Sequence, residues 1–128
     1  MNYVHIVAIL AILQDFLFGV MVGRARVQYG IKAPATSGHE LFERVFRVQM
    51  NTLEQLVAFL PAMLIASVYW SNALIAAIGA IYLIGRFLYW RLYLSNPSKR
   101  GPGFLLTVLP TFVLSIAALL GALTRHVV

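Results

Sequence analysis

The stretch LEQLVAFLPAMLIASVYW (53–70), then Ser71 and Asn72, then ALIAAIGAIYLIGRFLYW (73–90), decides the fold. Each run comes close to the roughly 20 mostly apolar residues that a helix needs to cross a bilayer. A connection as short as Trp70-Ser71-Asn72 predicts a tight antiparallel helical hairpin. Residues 4–22 and 104–123 are further apolar runs of similar length on either side. The composition agrees: the 128 residues are 61% hydrophobic and 11% charged, with a mean hydropathy of +0.84. A soluble domain carries about 25% charged residues because its surface faces water. Four Asp and Glu with ten Lys and Arg cannot cover a soluble globule, which excludes an ordinary soluble enzyme and a disordered chain alike. There is no cysteine, hence no disulfide, thiolate metal site or cysteine nucleophile. Any thiol chemistry has to enter with a substrate. His5, His39 and His126 are too scattered to predict a metal site.

The segments YGIKAPATSG (29–38) and SNPSKRGPG (95–103) have the Gly, Pro and Ser of loops. Ser37 stands three residues before Glu40, the spacing of a capping box, and predicts a second helix from about Glu40 to Trp70. Such a helix is long enough to project past the bilayer. Pro61 and Pro110 fall inside helices, where a membrane protein tolerates kinks. The first apolar run has no basic start, contains Asp15 and is too long for the core of a signal peptide, so it reads as a retained helix. With no internal repeat or linker, the expectation is an all-α, integral membrane four-helix bundle, one unit over residues 1–128. Nine of the ten basic residues are Arg24, Arg26, Lys32, Arg44, Arg47, Arg86, Arg91, Lys99 and Arg100, around the first and third loops. By the positive-inside rule these loops are predicted to be cytoplasmic. The net charge of +6 therefore needs no nucleic acid, and no nucleic-acid motif accompanies it.

On a helical wheel Glu40, Glu43, Arg47, Asn51 and Glu54 fall within about 80°. Tyr82, Arg86, Tyr89, Trp90 and Tyr93 share a face of the third helix. A charged side chain facing lipid costs about 3 kcal/mol, so such groups turn to a partner, a cavity or water. Arg47, Asn51 and Glu54 suit a zwitterionic ligand, with Arg for carboxylate, Glu for ammonium and Asn for amide. Intrahelical salt bridges fit the same spacing. Arg24, Arg26, Arg44 and Arg91 also fit interfacial anchors, and Tyr89, Trp90 and Tyr93 an aromatic belt. Asp15 fits a bond across to another helix. Gly19 and Gly23 form a GxxxG packing signal, and Phe16, Phe18, Phe104 and Phe112 are candidates to line a lipid groove.

At FERVFRVQMNTLE (42–54) the sequence resembles the MAPEG superfamily, membrane-associated proteins in eicosanoid and glutathione metabolism. The resemblance is closest to the branch of microsomal glutathione transferase types 2 and 3 and the cysteinyl-leukotriene synthase. It runs upstream through Gly23-Arg24-Ala25-Arg26 and downstream through YLIGRFLY (82–89) to Arg100, nearly the whole chain. It implies a homotrimer with glutathione bound between neighbours near the cytoplasmic face. Carried over by position, Arg26, Arg47, Gln49, Asn51, Glu54, Tyr89 and Tyr93 are the implied glutathione contacts. Arg100 is the implied catalytic residue, holding the sulfur as thiolate. Gln55 stands where the leukotriene synthase has a tyrosine, and Val57 where relatives have a proline; the proline here is Pro61.

Three functions are weighed on this basis. The first is a glutathione transferase or lipid peroxidase, in which the thiolate attacks a hydrophobic electrophile or a lipid hydroperoxide arriving from the bilayer. The second is a non-catalytic lipid scaffold resembling the five-lipoxygenase-activating protein, which lacks the arginine corresponding to Arg47. The third is a small four-helix exporter of cationic drugs with an acidic residue in its first helix, as Asp15 is; it leaves the Arg-rich second helix unexplained.

Overall fold

In lipid no water satisfies a bare backbone amide, so apolar runs of this length close all their hydrogen bonds within helices. The computed structural model describes residues 1–127; Val128, the last residue of the predicted unit, lies outside them. Four helices follow in order: α1 (Tyr3–Tyr29), α2 (Glu40–Tyr69), α3 (Asn72–Ser95) and α4 (Gly101–Thr124). A single 3₁₀ turn, Pro97–Lys99, precedes α4. All four are long and apolar enough to cross a membrane. At about 1.5 Å per residue, the 30 residues of α2 exceed the roughly 30 Å hydrocarbon core.

The hairpin forms as the sequence requires. Ser71 caps α3 by accepting from the Leu74 amide. At the same end the side chain of Asn72 accepts from the Tyr3 amide at 2.8 Å and donates to Asn2 Oδ1 at 2.9 Å. Asn2 in turn caps α1. The start of α1 is thereby tied to the α2–α3 turn. At the opposite end α1 stops at Gly30, whose φ of 68° favours glycine. The α1–α2 connection is held by Arg26, which donates to the Ala35 carbonyl at 2.7 Å and lies 5.0 Å over the Phe42 ring.

Two boundaries differ from the sequence reading. The cap of α2 is His39 and not Ser37: Nδ1 of His39 accepts from the Leu41 amide at 3.1 Å. Gly38 between them has φ 130°, which turns Ser37 away from the first helical amides, and His39 stacks on Tyr29 at 4.0 Å. Helix α4 begins at Gly101, three residues before the apolar run, because proline in a first turn gives up only an amide that has no helical partner.

The core runs along the bundle through Val4, Ala11, Phe59, Met63, Ala66, Ile75 and Leu114, with Phe59 stacked on Tyr82 at 3.8 Å. Small residues let helices approach: a Cβ on Gly85 would meet the Leu106 backbone, and one on Gly103 the backbone of Tyr89. Such close approach replaces the hydrophobic drive that is missing between helices in lipid. The up-and-down order gathers the end of α1, the start of α2, the end of α3 and the start of α4 at one arginine-rich end.

Candidate functional site

At that end α2, α3 and α4 enclose a cavity of about 600 Å³. It is lined by Arg47, Asn51, Tyr89, Tyr93, Arg100, Gly101 and Phe104. Helical spacing puts Arg47 and Asn51 one turn apart on α2, and Tyr89 and Tyr93 one turn apart on α3. The two tyrosine rings stack at 5.4 Å. Arg100 is the residue on which α4 opens, donating to the Pro97 carbonyl at 3.2 Å. No side chain among the described residues caps α4, so its positive dipole end lies uncapped at Gly101, which lines the cavity.

The charges are unbalanced. Arg47 pairs with Glu54 at 2.9 Å, one helical turn and three residues further along α2, while Arg100 has no carboxylate among the described residues. Glu40 engages Arg44, and Glu43 accepts from the Gly38 amide. The acidic stripe thus divides between loop and helix, and only Glu54 faces the cavity arginine. Asn51 is buried, and its Oδ1 has no hydrogen-bond partner among the described residues. A buried polar atom in a native fold normally has one, yet this oxygen is left unpartnered beside the cavity among the described residues. Two guanidiniums, a helix N-terminus, one carboxylate and an unpartnered amide oxygen suit a polar ligand with several anionic groups.

Beneath the cavity lies Arg86, fully buried. It donates to Thr52 Oγ1 at 2.9 Å and Thr107 Oγ1 at 3.3 Å, and its guanidinium sits 4.4 Å from the Tyr89 ring centre. Both hydroxyls give their own protons to backbone carbonyls, which leaves their lone pairs for the guanidinium. Arg86 therefore ties α2, α3 and α4 together under Tyr89.

Of the residues singled out in the sequence, Arg47, Asn51, Tyr89, Tyr93 and Arg100 meet at this cavity, and Glu54 joins through Arg47. Arg26 does not reach it; it holds its own loop. Gln49 lies roughly opposite Asn51 on the α2 wheel and is absent from the lining. Phe18, expected to face lipid, is instead buried against Phe87 and Trp90, because it falls on the inward stripe of α1 with Val22 and Ala25. Phe16 and Phe112 are exposed, and Phe104 lines the cavity. Among the described residues Asp15 Oδ1 is buried with no hydrogen-bond partner, so the expected bond to another helix is not seen there. The sequence reading missed Gly101 and the open end of α4; Gly-Pro-Gly at 101–103, read as loop, was the available signal.

Comparison with known proteins follows the same lines. The MAPEG family pattern matches residues 4–120. A human protein named microsomal glutathione S-transferase 2 is 37% identical, with the match covering 91% of this chain and 78% of the relative. An uncharacterised protein of Synechocystis sp. is 43% identical over 92% of this chain and 86% of its own length. Leukotriene C4 synthase of Cavia porcellus is 34% identical over 73% of this chain and 63% of the relative.

Proposed function

This chain belongs to the MAPEG family, and from that premise we propose that it is a membrane-bound glutathione transferase working as a homotrimer of single four-helix units. The convergence of Arg47, Asn51, Tyr89, Tyr93 and Arg100 from three helices onto one cavity carries the reading. About 600 Å³ is within the range of ordinary ligand pockets. The polar groups match the tripeptide: Arg47 donates to a carboxylate, Glu54 accepts from the ammonium, and the unpaired Asn51 Oδ1 accepts from an amide N–H. Glutathione supplies the nucleophilic sulfur when bound.

Arg100 holds that sulfur as thiolate. A free thiol with a pKa of about 8.5 is mostly protonated at neutral pH, and an adjacent guanidinium favours the anion. The uncapped start of α4 at Gly101 adds the positive end of the helix dipole beside Arg100. Tyr89 and Tyr93 donate hydrogen bonds from α3 and keep their stacked rings between the polar cavity and the apolar bundle. The hydrophobic electrophile enters laterally from the bilayer, and the sulfur–carbon bond forms as its leaving group departs. Arg26 and Gln49 are completing contacts from a neighbouring protomer, which accounts for their distance from the cavity within one chain. By the distribution of basic residues this end is cytoplasmic.

Glutathione titrated into the detergent-solubilised protein is expected to bind and give the ultraviolet absorbance of a thiolate near neutral pH. Arg100→Ala is expected to abolish that absorbance and lower turnover with a generic aryl halide about tenfold or more, with a smaller loss of glutathione affinity. Equal turnover in the two proteins removes Arg100 from this role. Absence of binding in an intact trimer favours the lipid scaffold. Assay with a lipid hydroperoxide decides whether the same thiolate also reduces peroxides, yielding the alcohol, water and glutathione disulfide from two glutathiones.

A further inference from the structure

A second cavity of about 350 Å³ opens at the same end of the bundle but on another side, among α1, α2 and α3. Its walls are apolar, with Met21 and Ala25 from α1, Leu41 and Val45 from α2, and Leu94 from α3. It shares no residue with the cavity around Arg100. Four side chains with polar groups, Arg24, Gln28, Tyr29 and Trp90, interrupt the apolar lining. Trp90 is one of them, and its indole Nε1–H is buried without a hydrogen-bond partner among the described residues. Arg24 stands exposed at the rim, and the two ion pairs among the described residues engage Arg44 and Arg47, leaving its charge unanswered.

An indole donor has no acceptor function of its own and is normally bonded when buried. The other tryptophan, Trp70, obeys this: its Nε1 donates to the Ala117 carbonyl at 2.8 Å. Among the described residues the N–H of Trp90 has no such partner, and an acceptor-bearing occupant of the cavity would supply one. Position narrows the choice. The cavity lies where α1 ends and α2 begins, at one end of helices long enough to cross a membrane, with Tyr29 in its lining. An occupant has to be apolar along the walls and anionic or acceptor-bearing at the rim. We propose that this cavity is a binding site for one anionic phospholipid of the surrounding membrane, its acyl chain along Met21, Val45 and Leu94 and its phosphate at Arg24. Anionic headgroups attract interfacial arginine, and an Arg adds phosphate geometry to the charge. Arg24 is two residues from Arg26, about 200° around α1, so the site faces away from the surface assigned to a neighbouring protomer. The inference stands independently of glutathione.

The two tryptophans make the test direct. In Trp70→Phe, Trp90 is the sole indole, and phospholipids brominated on the acyl chain quench it on contact. Dibrominated phosphatidylglycerol is expected to quench saturably, at a mole fraction about fivefold below that for dibrominated phosphatidylcholine. Arg24→Gln in the same background is expected to erase that difference. Equal quenching by the two lipids, or a preference that survives Arg24→Gln, overturns the proposal. Saturable quenching by brominated stearate alone also overturns it, assigning the cavity to a free fatty acid. Should Trp70→Phe fold poorly, native mass spectrometry of the otherwise unaltered protein and of Arg24→Gln gives the same comparison, through retention of one phosphatidylglycerol per protomer.

Discussion

Arg86 shows how much of the candidate site is carried by one side chain that does not line it. Periodicity grouped it with Tyr82 and Tyr89 but could not reveal its partners, since Thr52 and Thr107 stand 34 and 21 residues away and give no signal as acceptors. Removing the side chain leaves a void under Tyr89 and unties three helices. Arg86→Ala is expected to cost about 2–5 kcal/mol, as large-to-small changes in a packed core do, read as a lower unfolding midpoint in the same detergent. Thr52→Val keeps the volume but strands a guanidinium N–H, with an expected loss of about 1–3 kcal/mol. A Thr52→Val protein as stable as the parent means the guanidinium is satisfied elsewhere. The cavity residues themselves were more legible. Arg47, Asn51 and Glu54 stand out because charge on an apolar helix needs a reason, and that reason is local to one face.

Among the elements, spans were readable and ends were not. Apolar length is a property of the run itself, so all four helices follow from it. Where each begins depends on single caps: His39 displaces Ser37 because it can lean on Tyr29, and α4 starts inside Gly-Pro-Gly because its first turn tolerates proline. The contact of α3 with α4 was hidden for the same reason, since a glycine reads as a loop residue until its neighbour is known. A Cβ at Gly103 would lie 2.8 Å from Tyr89 Cβ and against the Tyr89 backbone, which cannot rotate aside. Gly103→Ala is therefore expected to push α4 off α3, at a cost of about 1–3 kcal/mol, and to weaken glutathione binding by moving Tyr89 from Arg100. Gly101→Ala meets nothing within 4 Å and is the matched control, expected to leave the unfolding midpoint unchanged. If the two variants unfold alike, the α3–α4 contact is looser than this geometry requires.

For the whole molecule the open question of assembly turns on one face of α1. Gly19, Gly23 and Arg26 fall within about 60° of one another on its wheel, and a Cβ on either glycine has nothing within 4 Å in the protomer. Glycines at this spacing let a second backbone approach, yet no helix of the same chain does so. The proposed trimer gives them that neighbour and brings Arg26 to the next protomer's cavity. Gly23→Leu separates the two levels. Within one protomer a Cβ at Gly23 meets nothing within 4 Å, so helicity and protomer stability are expected to shift by no more than about 0.5 kcal/mol. Between protomers the same side chain fills the gap the neighbour needs, so the detergent-corrected mass from light scattering is expected to fall from trimer to monomer. Glutathione affinity should fall with it, although none of the cavity-lining residues has changed. A Gly23→Leu trimer with full affinity would place the neighbour on another face of α1 and leave Arg26 with its loop alone.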